Sequence, residues 1–512
     1  MSPAASALPD ELAAAVARGD VDRIGGVVNA NLWVLVQSHW ALLKSALDLL
    51  PEDFLEANPT LALVKGFGSS VFLEGGGVNE RATTMMQSGD GTGMPDQVLD
   101  AILLQEMLGH RLRGDFAAAK DVGSRLRTRV ERVDEHGRRP IHDMVAFYLL
   151  HVGITEALAG DLEQSLRDFA NVRSLRAKTG NELAEYDAAL KSALVHAALG
   201  RLVEAERSLR RAGTPPELSE PFASQIAATE TAARALIAVD RLGPDAPELV
   251  RSALEQNADA EMWPFALLAS TRWAIVTGDL VGAIDEVDQV AASRHAPPES
   301  LLGLVVATTR AQALAIMGEF GAALRALESE GVGEGPAPTV VRTRVALYTE
   351  GPEAALVAAR QLVVRPGLGP SARAETMLLA AWAQVRLLGA PDGATAGPLG
   401  ALVAREGLWR VLQLVPERVV AALPGLEQAP AFERRLAHHD PSTSVRLTAN
   451  ELEVLELLAG PDSLPTIARR RFVSPNTIKT QVASIYRGLG VHGRREAVAE
   501  ATRRGILGHS ET

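Results

Sequence analysis

The sequence predicts an all-α protein in which a long solenoid of helical hairpins precedes a small domain of four helices. Alanine and leucine are plentiful, while aromatic residues make up 4% of the 512 positions. This balance favours helices packed through small and aliphatic side chains. Apolar residues recur at helical spacing over roughly the first four hundred residues, and β-branched alternation is rare. A glycine-centred pattern also recurs along the same region.

The repeated pattern consists of a glycine, a charged residue and an apolar residue, with a small residue five positions after the glycine. Successive glycines lie 46, 40, 78 and 40 positions apart, and 78 is twice 39. A glycine in the left-handed conformation ends a helix, and the small residue lets the next helix approach. Because one hairpin cannot bury its apolar face alone, the hairpins should stack into a solenoid. The alternative is that these glycines mark ordinary helix ends, and the recurring period favours the solenoid. The copies start at Gly114, Gly160, Gly200, Gly278 and Gly318, with degenerate copies at Gly19, Gly243 and Gly351.

Charge and cysteine content narrow the class of protein. The chain has no cysteine, which excludes a disulfide framework, zinc–thiolate sites and a cysteine nucleophile. Residues 446–508 contain ten Arg or Lys and six Asp or Glu, which gives this segment a formal charge of +4. The net charge of the whole chain is −12, so the other residues together have a charge of −16. This is the asymmetry expected when only the carboxy-terminal segment contacts phosphate.

The domain boundary is predicted near Gly425, where turn-forming residues interrupt the helical periodicity. We expect a helical-repeat region over 1–425, a linker over 426–444 and a four-helix domain over 445–508. His438 and His439 are adjacent in the linker, and we interpret them as polar linker residues because no cysteine accompanies them as a metal ligand.

The carboxy-terminal domain has clear helix boundaries. Thr448 and Glu451 have the spacing of a capping box, and Ser463 can cap a second helix. Ser474 followed by Pro475 starts a third helix over 475–488. Apolar residues every three or four positions predict its buried stripe, and the opposite face is polar and basic. The second and third helices, joined by a tight turn, have the pattern of a helix-turn-helix, in which the later helix enters the major groove of DNA. The stripe comprises Ile478, Val482, Ile485 and Leu489.

Residues 447–500 resemble the LuxR/FixJ-type DNA-binding domain. The matching segments include Leu447-Thr448, Glu453-Val454-Leu455, Ser474 to Thr480, and Glu496-Ala497-Val498. The resemblance implies a recognition helix that contacts DNA through Thr477, Lys479 and Thr480, and a fourth helix that forms a homodimer contact. Lys479 is the sole lysine after Lys191 in a chain that otherwise uses arginine. The predicted DNA-binding residues are Ser474, Asn476, Thr477, Lys479, Thr480, Ala483 and Arg487.

Two departures from the family pattern leave an alternative open. Arg471 stands where a buried leucine is usual, and Gly460-Pro461-Asp462 replaces the usual turn after the first helix. Gln481 also stands where the family usually has histidine, a change that is compatible with DNA binding. Because an unpaired buried arginine is costly, we expect the head of Arg471 to turn outward and join a basic face with Arg469 and Arg470. The alternative function is a scaffold protein whose last domain only dimerises.

The repeat region resembles tetratricopeptide-type repeats, in particular the superhelical sensor of MalT-like regulators. The stretch from Trp40 to Leu63 looks like a Leu-Pro…Pro-x-Leu segment of that family. Those regulators have an ATPase domain, but this sequence contains no Gly-x-x-x-x-Gly-Lys-Ser/Thr motif, so nucleotide hydrolysis is not predicted.

The sequence therefore predicts a sequence-specific transcriptional regulator of double-stranded DNA, controlled by a small-molecule or protein effector in the concave face of the solenoid. We expect no cofactor and no metal. An enzyme in the helical body has the least support, because His110, His151 and His196 have no nucleophile or metal-ligating residue at a spacing that would indicate an active site. The start of the chain lacks a basic stretch followed by an apolar core, and we expect a cytoplasmic protein without membrane contact.

Overall fold

The computed structural model of the chain describes most of the repeat region and most of the carboxy-terminal domain. All regular structure among the described residues is helical, which confirms the all-α prediction. None of the described helices is long and apolar enough to cross a membrane. The described residues are 3–57, 61, 64–65, 96–135, 144–175, 181–220, 222–257, 260–329, 331–333, 335–433, 436, 449–471, 473–489, 491, 493–503 and 506–507.

Helical hairpins follow one another from Asp96 to Glu406. The two helices of each hairpin pack together, and the first helices of successive hairpins also touch, as in a helical solenoid. A 3₁₀ helix (Trp409–Leu414) and the short α21 (Glu417–Val420) follow the last hairpin. The hairpins are α5 (Asp96–Leu112) with α6 (Phe116–Glu135), α7 (Met144–Leu158) with α8 (Leu162–Ser174), α9 (Glu182–Leu199) with α10 (Leu202–Ala212), α11 (Phe222–Arg241) with α12 (Ala246–Asn257), α13 (Trp263–Thr277) with α14 (Leu280–Ser293), α15 (Leu301–Met317) with α16 (Phe320–Ser329), α17 (Pro336–Thr349) with α18 (Pro352–Val363), and α19 (Pro370–Leu388) with α20 (Gly393–Glu406).

The repeated glycines stand at the hairpin turns, as the sequence pattern predicts. Their φ angles lie between 78° and 87°, in the left-handed region that favours glycine. The small residue five positions later is fully buried at 0% exposure in every one of the five copies, so the second helix can approach the first closely. These small residues are Ala119, Ser165, Ala205, Ala283 and Ala323.

Two of the degenerate copies depart from the pattern. At the α11–α12 turn the left-handed residue is Leu242, with a φ of 55°, and not Gly243. Gly351 also has a positive φ, 106°, but its ψ of 170° lies outside the left-handed helical conformation of the other glycines. Gly19 follows the pattern, with a φ of 66°. The spacing of 78 positions is nevertheless two repeats, because the α11–α12 hairpin lies within it.

The solenoid closes on itself, which brings distant hairpins into contact. Gly200, in the α9–α10 turn, lies so close to the start of α19 that a Cβ atom there would be 2.6 Å from the backbone nitrogen of Ser371. The backbone amide of Val203 donates to Oε2 of Glu406 at 3.4 Å. The hairpins α9–α10 and α19–α20 therefore touch, although the hairpins from α11 to α18 lie between them in sequence.

A buried ionic cluster lies at this closure. Arg410 of the 3₁₀ helix pairs with Asp240 of α11 and, at 3.1 Å, with Glu375 of α19. Arg272 of α13 also contacts Asp240, at 3.2 Å. The side chain of Asp240 is 0% exposed and that of Arg410 3%. Burial lowers the pKa of Arg410, but the carboxylates of Asp240 and Glu375 outweigh it and hold this pKa above its ordinary value. The cluster is therefore ionic and joins three hairpins to the end of the solenoid.

The amino-terminal helices form a hydrophobic cluster of their own. They are α1 (Pro3–Arg18), α2 (Val21–Ser38), α3 (Trp40–Leu49) and α4 (Glu52–Ala57). Trp40 meets Phe222 edge-to-face at 5.8 Å, and the amide of Ser219 donates to the carbonyl of Gln37 at 2.9 Å. This unit thus contacts the start of α11 and the segment before it. The predicted family segment from Trp40 is helical to Leu49, but residues 58–60 and 62–63 lie outside the described residues.

The first part of the predicted linker contacts the solenoid. Phe432 packs edge-to-face on Trp273 with ring centroids 6.1 Å apart, and Leu436 packs near Ile275. His438 and His439 lie outside the described residues. The described residues contain no group of His, Asp and Glu that could hold a metal ion.

Candidate DNA-binding site

The carboxy-terminal domain contains four helices around one small core. They are α22 (Ala449–Ala459), α23 (Leu464–Arg470), α24 (Pro475–Leu489) and α25 (Arg494–Arg503). The predicted stripe of α24 is confirmed, since Ile478, Val482, Ile485 and Leu489 are all at most 5% exposed. They pack against Val454, Leu455 and Ile467 of the two preceding helices. This packing fixes which face of α24 points outward.

The outward face of α24 contains most of the predicted DNA-binding residues. Asn476, Thr477, Lys479, Thr480 and Ala483 are all exposed. Within the part of the chain that the structure describes, Lys479 makes no ion pair, so its charge is available to a ligand. Arg487 lies on the same helix, but its side chain is outside the described residues. Among the side chains that the structure describes, this helix face is therefore a polar row in which Lys479 is an unpaired cation.

The start of α24 is held by local hydrogen bonds. The amide of Thr477 donates to Oγ of Ser474 at 3.1 Å, and the two hydroxyls lie 2.8 Å apart. The amide of Ile478 donates to the carbonyl of Ser474 at 3.2 Å, and Pro475 has no amide hydrogen. This leaves the amide of Asn476 as the candidate donor for a phosphate at the helix start. Ser474 is thus a capping residue of α24. Thr448, the predicted capping residue of α22, lies outside the described residues.

The expectation of a basic face formed by Arg469, Arg470 and Arg471 is wrong for two of them. Arg471 pairs with Glu453 and donates to Oδ1 of Asn450 at 3.1 Å, so its side chain, 24% exposed, joins α23 to α22. Arg470 pairs with Asp462. Glu453 of α22 and Asp462 of the turn therefore compensate these two charges within the domain, although the side chain of Arg470 remains 63% exposed. Arg469 alone of the three is exposed without such a partner among the described residues.

Arg494, which matches the LuxR/FixJ-type pattern at the start of the fourth helix, has a structural role that the sequence did not predict. Its guanidinium donates to three backbone carbonyls, those of Leu458 at 2.8 Å, Gly460 at 2.6 Å and Asp462 at 2.6 Å. The last carbonyls of a helix have no partner within the helix, and a cation there interacts favourably with the negative end of the helix dipole. Arg494 therefore fixes the α22–α23 turn to the start of α25. These partners lie 32 to 36 positions upstream, so no local pattern reveals them.

Replacing Arg494 by alanine should destabilise this domain by about 2–3 kcal/mol, because three hydrogen bonds from a charged donor are lost. In the full chain, amide hydrogen exchange of residues 449–471 should become roughly thirtyfold faster or more. The exchange rate in Arg494→Lys should lie between those of Arg494→Ala and the native chain, since an ammonium keeps the charge but loses the planar fork of the guanidinium. Unchanged exchange in Arg494→Ala would contradict the assigned role.

Comparison with known proteins places this domain in a family. Residues 445–501 match the family described as "Bacterial regulatory proteins, luxR family". "Probable transcriptional regulatory protein NarL" of Mycobacterium tuberculosis (strain CDC 1551 / Oshkosh) is 48% identical over 61 residues, which are 12% of this chain and 28% of that protein. "Probable transcriptional regulatory protein SgaR" of Hyphomicrobium methylovorum is 39% identical over 87 residues, 17% of this chain and 40% of that protein.

A third relative is covered for most of its length. "Spore germination protein GerE" of Bacillus subtilis (strain 168) is 39% identical over 61 residues, which are 12% of this chain and 82% of that protein. The present chain therefore spans less than half the length of either of these two longer relatives. The solenoid of hairpins that precedes it is consistent with the resemblance to MalT-like regulators. The chain belongs, through its carboxy-terminal helix-turn-helix domain, to the luxR family of bacterial regulatory proteins.

Proposed function

We propose that this protein is a sequence-specific DNA-binding transcriptional regulator whose helix α24 enters the major groove. The observation that carries the proposal is the two-sided character of that helix. One side is a fully packed stripe from Ile478 to Leu489, and the other exposes Asn476, Thr477, Lys479 and Thr480. Residues 445–501, which contain α24, match a family of regulatory proteins.

The exposed residues suit different parts of a duplex. Lys479 supplies a cation for a backbone phosphate, and the amide of Asn476 can donate to another. The amide side chain of Asn476 can pair with adenine, while Thr477 and Thr480 can meet base edges. The Thr480 hydroxyl donates to the carbonyl of Asn476 at 3.0 Å, so it approaches DNA as an acceptor. The small side chain of Ala483 lets the helix lie close to the groove.

The alternative, a scaffold whose last domain only dimerises, has less support. Arg471 was its main argument, because an arginine at a core position could disrupt the domain. Its guanidinium instead pairs with Glu453 and Asn450 at the edge of the domain, and the core below is filled. Dimerisation remains part of the present proposal, with α25 as the contact surface through exposed Arg495, Glu496 and Ala499. The proposal includes no catalytic step, and it assigns control to a ligand or protein bound by the solenoid.

The test is binding of the full chain to duplexes selected from a random pool. We expect one sequence to be enriched, and its affinity to fall linearly on a log–log plot against salt. Lys479→Ala should lower the salt slope by about one and weaken binding several-fold on all sequences. Anisotropy of a labelled duplex measures both quantities.

Lys44→Ala provides the matched control, because Lys44 is an exposed lysine in the amino-terminal helices. This variant has the same change in net charge and should bind DNA as the native chain does. If no sequence is enriched, or if the two lysine variants bind alike, the proposed role of α24 fails.

A further inference from the structure

A cavity of about 230 Å³ lies among the first helices of four consecutive hairpins. Its walls come from α5, α7, α9 and α11, and the segment before α13 completes them. These first helices also contact one another in succession. Every residue that lines it belongs to the described part of the chain.

One wall of the cavity contains two ion pairs. Arg111 pairs with Glu261, and Lys191 pairs with Asp187. The side chains of Arg111 and Lys191 are 5% and 7% exposed, so both cations are almost completely removed from bulk water. Glu261, at 31% exposure, lies at the mouth. The cavity therefore offers two cations and two carboxylates with no net charge.

The polar wall is also rigid. The guanidinium of Arg111 donates to the His151 carbonyl at 3.3 Å and to Oγ1 of Thr155 at 3.2 Å. Burial lowers the pKa of His151 well below its ordinary value, and the nearby charges of Arg111 and Lys191 lower it further, so its ring is neutral. This ring packs edge-to-face on Phe147 at 4.5 Å. The charged groups are thus held in place before any ligand arrives, which reduces the entropy lost on binding.

Apolar side chains make up most of the remaining lining, beside the polar Asn181, Gln225 and Thr229. The apolar residues include Leu108, Phe147, Ile154, Ile226 and Met262. A cavity of about 150 Å³ accepts benzene, so this one accepts a small molecule with a branched aliphatic or aromatic group. An apolar wall facing a few fixed polar groups is the general composition of small-molecule sites.

The charge pattern selects among small molecules. A simple carboxylate would attract Arg111 and Lys191 away from their partners and leave Glu261 and Asp187 uncompensated in a buried site. A simple amine would leave the two cations uncompensated for the same reason. A molecule with both groups can exchange with both ion pairs, because its carboxylate meets the cations and its ammonium meets the carboxylates.

We propose that this cavity binds a small zwitterion with an apolar side chain, of the class of the α-amino acids, as the effector of the protein. The assignment as an effector site rests on the proposed regulatory function, whereas binding itself does not. Arg111 belongs to the first helix of its hairpin and Glu261 lies about 150 positions later in the chain. A ligand that exchanges with this pair therefore acts on a contact between hairpins that are distant in sequence.

The experiment is calorimetric titration of the full chain, without DNA, with each of the standard α-amino acids. At least one amino acid with an aliphatic or aromatic side chain should bind. Its amide, which lacks the carboxylate, and its deaminated acid, which lacks the ammonium, should each bind at least about tenfold more weakly.

The diagnostic variant is Glu261→Gln, with its folding checked by circular dichroism because Glu261 is the ionic partner of buried Arg111. It should weaken the amino acid about tenfold, because the partner of the ammonium is removed, and it should strengthen the deaminated acid, because Arg111 can then accept a carboxylate without leaving Glu261 uncompensated. Glu206→Gln is the matched control, since Glu206 is 33% exposed and pairs with Arg241 outside the cavity. It should bind the amino acid as the native chain does.

Several results would overturn the proposal. They are an absence of binding for every amino acid by a chain that is folded by circular dichroism, equal affinity for the amide or the acid, and equal effects of the two glutamate variants. Binding of a sugar in place of any amino acid would overturn it as well. Failure of the proposed regulatory function would instead appear as a lack of DNA binding, which these titrations do not involve.

Discussion

Replacing Asp240 by alanine should lower the free energy of unfolding of the repeat region by about 3–5 kcal/mol. Asp240 is fully buried and compensates both Arg410 and Arg272. Without its carboxylate, Arg272 loses its ionic partner in this cluster, and Arg410 keeps Glu375 alone. Removing one partner of a buried ion pair destabilises a protein by more than the intact pair stabilises it, because the remaining charge stays desolvated.

Tryptophan fluorescence during urea unfolding of the full chain measures this effect. All six tryptophans lie between Trp33 and Trp409, so the signal reports on the region before the carboxy-terminal domain. Glu248→Ala is the control, because Glu248 forms an ion pair with Arg251 in which both side chains are more than half exposed. That change should shift stability by no more than about 1 kcal/mol. Similar losses in the two variants would show that the buried cluster does not hold the solenoid closed.

Replacing Gly200 by alanine should also destabilise the repeat region, by about 2–5 kcal/mol. Part of the loss, about 1–2 kcal/mol, comes from a side chain in the left-handed conformation, since φ is 80°. The rest comes from overpacking, because the new Cβ would lie 2.6 Å from the nitrogen and 2.7 Å from the Cβ of Ser371. Both atoms belong to the start of α19, so the clash forces apart hairpins that meet at the closure.

Gly389→Ala separates the two contributions. Gly389 has a φ of 85°, and a Cβ there would meet nothing within 4 Å. This variant should therefore show the conformational part alone, and the difference between the two variants measures the contact across the closure. If the two alanine variants unfold at the same urea concentration, the close approach of Gly200 to Ser371 does not contribute to stability.

Local features of the chain were predictable because they depend on residues within one or two turns of each other. The glycine turns, the small residues after them and the Ser474 cap follow from backbone geometry that a short sequence window specifies. The buried stripe of α24 was predictable for the same reason, since a helix places residues three and four apart on one face. The predicted contact residues of that helix are consequently exposed, apart from the undescribed side chain of Arg487.

Features that join distant segments were not predictable in this way. The sequence suggested that Arg471 faces outward with Arg470, but Glu453 and Asp462 neutralise these charges. The three carbonyl contacts of Arg494 were equally invisible. The charge on a side chain is visible in the sequence, whereas its partner depends on how helices pack.

The sequence by itself determined the helical class, the repeat, and the buried and exposed faces of α24, because hydrophobic period and turn chemistry are local properties. Only the tertiary structure decided where the solenoid closes, which charges are buried at Asp240 and Arg111, and which cations of the last domain stay free. The physical reason is that the pairing of a charge or the filling of a cavity is set by distances between packed segments, which lie as far as 170 residues apart for Asp240 and Arg410. Those distances depend on the sum of many small rotations between successive hairpins, which no single motif encodes.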